Sequence, residues 1–127
     1  MRASLAALAI LPALSGCDSG VQWRDKEYEV LWIDTSENRS LVRRVDEGGG
    51  IGRVEPEVIA VGSNEHYVVV KQRSLSNDSI TYFVVPRQMD NPYLNAEEIT
   101  EGPFSSSEFE ALKVQKGLPE FSAVFGE

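Results

Sequence analysis

Glu57-Val58-Ile59-Ala60-Val61 and Tyr67-Val68-Val69-Val70-Lys71-Gln72, joined by Gly62-Ser63-Asn64-Glu65-His66, decide the fold. Both runs are rich in β-branched residues, which suit a pleated surface. The short Gly/Ser/Asn link between them predicts an antiparallel hairpin. The runs are apolar without a break, so both faces of these strands are expected to be covered. A covered sheet needs a partner layer on at least one side.

That partner is legible further along the chain. Ile80-Thr81-Tyr82-Phe83-Val84-Val85 predicts the next strand, and Pro86 ends its ladder because proline has no N–H to donate. Gln88 to Asn95 is irregular, and Ala96 to Glu101 reads as a short strand or a helical turn. Gly102-Pro103-Phe104-Ser105-Ser106-Ser107-Glu108-Phe109 is a helix start. Ser105 can cap the amide of Glu108, Glu108 can reach back to the amide of Ser105, and Phe104 and Phe109 hold the positions of a hydrophobic staple. The helix is expected to run to about Lys116, with Gly117 in the left-handed position, Leu118 folding back towards Leu112, and Pro119 blocking continuation. Phe109 and Leu112 mark its buried stripe. The tail Phe121-Ser122-Ala123-Val124-Phe125 is apolar enough to dock or pair as a last strand.

Upstream, Tyr28-Glu29-Val30-Leu31-Trp32-Ile33 and Ser40-Leu41-Val42-Arg43-Arg44-Val45 predict two strands around a turn at residues 34–38. Asp46-Glu47-Gly48-Gly49-Gly50-Ile51-Gly52 is glycine-rich, but it lacks the P-loop lysine and no helical pattern follows, so a loop between strands is expected rather than a phosphate cradle. The expected class is α+β: a single antiparallel β-sheet of about four to six strands with one C-terminal α-helix packed on it.

The N-terminus carries a different message. Arg2 precedes the apolar run from Ala3 to Leu14, which is shorter than the roughly 20 residues of a membrane span. Pro12 interrupts it, and small residues Ser15 and Gly16 stand before Cys17, the only cysteine of the chain. This is the layout of a secretory signal peptide over residues 1–16. Leu14-Ser15-Gly16-Cys17 resembles the lipobox of bacterial lipoproteins. The resemblance implies cleavage between Gly16 and Cys17, acylation through the Cys17 sulfur with several acyl chains, palmitate among them, and anchoring in a bacterial membrane. Asp18 resembles the enteric signal that retains lipoproteins on the periplasmic side of the inner membrane; an ordinary polar linker residue is the alternative. Residues 17–26, with Trp23 among them, are expected to form a lipidated tether, and 27–127 the globular domain.

The hairpin Ile59 to Gln72, the strand Tyr82 to Val85, and Gly102-Pro103-Phe104-Ser105 with Phe109 and Gly117-Leu118-Pro119 are together similar to a family of short, functionally uncharacterised bacterial lipoproteins. The shared motifs are structural, and the resemblance carries over no catalytic residue.

The chain holds 12 Lys and Arg against 20 Asp and Glu, a net charge of −8. Loss of the signal peptide, whose one charged side chain is Arg2, makes the remainder one unit more negative. Nucleic acid is an unsuitable partner for such a surface. The bilayer surface is itself anionic, so the domain is expected to stand off it on its tether. One cysteine and one histidine leave no Cys/His zinc site, and no metal or cofactor is expected.

Several residues invite a catalytic or binding reading beside a plainer one. His66 lies in a hairpin loop, where a solvated side chain is the plainer reading. Asp46 with Glu47, Asn77 with Asp78, and Asp90 with Asn91 are acidic pairs without the spaced pattern of an EF-hand, and read as solvated turns. Glu55 and Glu57 flank Pro56 and suggest a carboxylate pair, but a glycosidase needs its pair across a sugar-sized cleft that a domain this small seldom holds, so solubility at a strand edge is the plainer reading. Tyr28, Trp32 and Tyr82 are expected in the core, while Trp23 stays open to an interface role. Arg43 and Arg44 form a small basic spot, expected to pair with neighbouring carboxylates. No catalytic constellation emerges. The expectation is a non-enzymatic binding module on the envelope face of a membrane, of inhibitor or immunity type, using the exposed sheet face or the Gly48–Gly52 loop to meet a protein partner. A small envelope hydrolase using carboxylates and a structural envelope component are the alternatives.

Overall fold

The computed structural model describes residues 19–126. The expectations at Gly16, Cys17 and Asp18 concern residues outside this range. Two antiparallel sheets are present. The first holds β1 (Ser19–Asp25), β2 (Tyr28–Ile33), β3 (Arg39–Arg44) and β4 (Gly50–Val54) as a meander in that order. The second holds β5 (Val58–Ser63), β6 (Tyr67–Arg73), β7 (Ile80–Pro86), β8 (Glu101–Phe104) and β9 (Ala123–Val124), in the order β8-β7-β6-β5-β9. The helices are a short α1 (Ala96–Ile99) and α2 (Ser106–Lys116). One sheet was the expectation; two is the correction. In β3 the buried Arg39 and Leu41 alternate with half-buried Ser40 and Val42, which marks one covered face but does not say that the layer covering it is a second sheet.

The β5–β6 hairpin forms as its sequence predicts. The Asn64 side chain accepts from the backbone amides of His66 and Tyr67 at 2.9 and 2.8 Å, which closes the turn. Val61 pairs with Val70 and Ser63 with Val68. Both faces are covered. Val58, Val61, Val68, Val70 and Val85 face the first sheet and join Tyr28, Val30, Leu41, Val54 and Ile99 in one cluster. Val69 and Val84 face the other way and join Phe109 and Leu118 from the α2 side. With both faces covered, Val58 to Gly62 is buried at every position, and a bulge lies between Val58 and Ala60. The result is three layers: first sheet, second sheet, helix.

Helix α2 follows its caps. Ser105 Oγ accepts from the Glu108 amide at 3.2 Å, and the Ser105 amide donates to Glu108 Oε1 at 2.8 Å. Gly117 adopts φ 67° and donates to the Lys113 carbonyl at 3.0 Å; Leu118 donates to the same carbonyl at 3.2 Å. Phe109 is 1% exposed and stacks on Tyr82 at 4.7 Å and on Phe121 at 5.7 Å. Burying such a ring contributes about 1.5–3 kcal/mol. Past the helix the chain crosses β5 at Gly62, where a Cβ would lie 2.0 Å from the Glu120 carbonyl oxygen. Only glycine admits that crossing, which lets the tail reach β9, the docked last strand.

Other boundaries differ from expectation. Residues 19–25, expected within a tether, form β1, and Trp23 packs against the main core cluster. The strand is irregular, with a bulge between Val21 and Trp23, so its sequence shows no clean alternation. Gly50 and Gly52 belong to β4 rather than to a loop. Residues 96–101 supply both a helical turn and the start of β8.

Candidate functional site

Ionisable side chains are built into the seam between the sheets. Arg53 and Asp90 form a bidentate pair, with Nη2 2.8 Å from Oδ1 and Nε 3.0 Å from Oδ2, and neither side chain is exposed. A bulge between Leu41 and Val42 in the β3–β4 ladder places Arg53 there. Tyr28 Oη donates to Asp90 Oδ2 at 2.7 Å. The guanidinium groups of Arg43 and Arg87 lie 5.8 and 5.1 Å from the Tyr28 ring centroid. Arg87 reaches Asp25 at 2.7 Å, and Asp25 also accepts from the Ser63 hydroxyl at 2.5 Å.

The pKa directions follow. Burial pushes the Asp90 carboxyl up, but the hydrogen bonds from Arg53 and Tyr28 and the nearby guanidinium charges outweigh it and hold it below the ordinary carboxylate value. Asp25 is lowered by the Ser63 hydroxyl and by Arg87, against burial. Tyr28 is raised, first by burial and then by its bond to the Asp90 carboxylate. At neutral pH these groups act as fixed acceptors and a fixed donor.

What Asp90 fixes is a loop. Its Oδ1 accepts from the Asn91 amide at 2.8 Å, and Arg53 Nη2 donates to the Asn91 carbonyl at 3.2 Å. Asn91 Oδ1 in turn accepts from the Tyr93 amide at 2.8 Å. At the tip, Tyr93 is 90% exposed. It borders an open concavity of ≈ 580 Å³ with Pro92, Glu27, Arg43, Arg44 and Asp46. The Nε of Arg43 is buried without a hydrogen-bond partner. A second hollow of ≈ 260 Å³ lies on the outer face of the first sheet, where Val21, Leu31 and Val42 meet Arg24, Glu29 and Arg44 under Gly48 to Gly50. Glu29 is buried there, accepting from Arg24 at 2.7 Å and from Arg44 at 3.2 Å. Arg44 lines both hollows.

The residues singled out from sequence scatter. His66 is exposed in its hairpin turn. Glu55 is exposed, whereas Glu57 is buried between Arg39 at 2.8 Å and Arg73 at 3.3 Å, so the two do not form a facing pair. Asn77 and Asp78 are turn residues: Asn77 accepts from the Ser79 amide, and Asp78 has φ 63°. Asp46 borders the larger hollow; Glu47 beside it has no described side chain. Asp90, expected in a solvated turn, is instead buried against Arg53, and this is a correction. Tyr28 is core, Tyr82 stacks under the helix and Trp32 is half-buried. Arg43 and Arg44 do pair with acids, Arg43 with Glu27 at 3.4 Å and Arg44 with Glu29 at 3.2 Å.

Sequence reasoning missed Arg53, Arg87 and Tyr93. Arg53 carries no periodic signal, because its burial comes from the bulge. The turn-forming Asp90-Asn91-Pro92 was the one hint of a structured loop before Tyr93. Among the described residues no three His, Cys, Asp or Glu side chains converge as a metal site, and no helix is long and apolar enough to cross a membrane. Comparison with known proteins found no family model, no curated protein and no solved structure that matches this chain.

Proposed function

We propose that this chain is a lipid-anchored, non-enzymatic binding module of the bacterial cell envelope, acylated at Cys17, that meets a protein partner through the Tyr93 end of its domain. The observation that carries the reading is the pinned loop. A fully buried Arg53–Asp90 pair is a costly way to hold a surface segment, since removing two charges from water costs several kcal/mol per ion. Here it fixes a loop whose tip residue is 90% exposed. A rigid exposed tyrosine beside Arg43 and Arg44 is the composition of an interface anchor. Preorganisation lowers the entropy lost on binding. The hydrolase alternative is weakened, because Glu57 is already neutralised by two arginines.

The test is a comparative capture. The domain from Ser19 onward, coupled through its N-terminus, is exposed to native envelope and secreted fractions. A protein retained by the parent domain should be lost with Tyr93→Ala and with Arg44→Glu, and kept with Val114→Ala, a change on the far helix. Equal retention by all four would sink the assignment of this surface.

A further inference from the structure

We infer that the end of the domain built from the turns at residues 34–38 and 74–79 lies against the bilayer, so that the Tyr93 end points away from it. This rests on the proposed acylation of Cys17. If Cys17 is the membrane-embedded residue, only Asp18 separates it from β1, which begins at Ser19. Two residues reach at most about 7 Å. The tether that the sequence suggested is therefore too short for the domain to stand clear of the headgroups.

The strand pairings say which end is held there. Ser19 pairs with Ile33, and Asp25, at the other end of β1, pairs with Tyr28. The strand spans about 20 Å at its usual rise. β5 runs in the same direction as β1: its start bonds to Arg39 at the beginning of β3, and its last residue, Ser63, bonds to Asp25. The Ser19 end thus gathers the 34–38 turn, the buried Arg39–Glu57 pair with half-buried Arg73 beside it, and the 74–79 turn. The opposite end gathers Glu27, Arg43, Arg44 and the Tyr93 loop.

The surface of the Ser19 end fits shallow contact with lipid. Ile33, Leu75 and Ile80 are 47, 63 and 38% exposed there. Single apolar side chains at headgroup level gain from partial burial, while Asp34, Glu37 and Asp78 on the same turns oppose entry into the hydrocarbon.

The orientation is testable with the lipidated full chain in vesicles of phosphatidylethanolamine and phosphatidylglycerol carrying a headgroup spin label. Cys17 is consumed by acylation, so a fluorophore can be placed on Glu37→Cys, Leu75→Cys, Glu65→Cys or Tyr93→Cys. The proposal expects loss of emission at 37 and 75 and retained emission at 65 and 93. Inserting a flexible Gly/Ser segment of about ten residues between Asp18 and Ser19 should reduce the loss at 37 and 75. Protein that floats with the vesicles but is quenched equally at all four positions, most at 65 or 93, or at none, overturns the orientation and leaves the anchor standing. Parent protein that fails to float, or a Cys17→Ser chain that floats as well as the parent, overturns the anchor and the orientation with it.

Discussion

Asp90 is the residue on which the exposed loop depends. Removing it leaves Arg53 charged and fully buried, with its carboxylate gone. Asp90→Ala is expected to cost roughly 3–5 kcal/mol, the range for breaking a buried ion pair from one side. Chemical denaturation measures this, and hydrogen exchange at the Asn91 and Tyr93 amides should rise with it. The pH dependence follows from the same groups. Asp25 and Asp90 have lowered pKa values, so the stability they supply is present above the ordinary carboxylate range near 4 and is lost as pH falls through their lowered values. Tyr28 has a raised pKa, so its contribution is intact below about 10 and is lost as pH rises further. A melting temperature followed by circular dichroism should therefore be level, as far as these groups act, from about pH 5 to 9, with a decline on each side. Tyr28→Phe should flatten the alkaline decline; an unchanged alkaline limb would show that Tyr28 is not its source. Gly62 makes a steric prediction. A Cβ there would collide with the backbone of Glu120, which cannot rotate away. Gly62→Ala should destabilise by roughly 1–3 kcal/mol or more, as overpacking does, and should loosen the pairing of β9.

At the scale of elements, α2 and the β5–β6 hairpin stand because local rules agree with tertiary packing. Ser105→Ala removes the cap of α2 and should cost about 1 kcal/mol in a thermal melt. The same change at Ser106, inside the first turn, should cost less. Both elements were legible in sequence, because capping, turn chemistry and β-branched runs act within a few residues. The pairing β1 was not. Its bulge at Val21–Trp23 removes the alternation by which strands are recognised, and it is held by β2 across the sheet rather than by its own pattern. β4 was partly hidden for a related reason. Gly50 and Gly52 have poor strand propensity, and their place in the ladder comes from pairing with Arg44 and Val42.

At the scale of the whole molecule, the stacking of two sheets under one helix brings Asp25 to Arg87 and Arg53 to Asp90, residues far apart in the chain. It also sorts the surface into two ends, one beside Ser19 and one carrying Tyr93. If the proposed anchor at Cys17 holds the chain to the membrane, Cys17→Ser should release it to the soluble fraction while leaving its melting temperature unchanged, because the described fold begins after it; fractionation of cells expressing each form reads this directly. By itself, the amino-acid sequence determined the hairpin and the capped helix, since each depends on neighbours in the chain, and the net acidity, which is a sum over its residues. Only the tertiary structure decided that there are two sheets, that Asp90 is a buried anchor rather than a turn carboxylate, and that Glu55 and Glu57 do not act as a pair. Those outcomes depend on which distant side chain occupies the space opposite, and that is settled by packing across the seam.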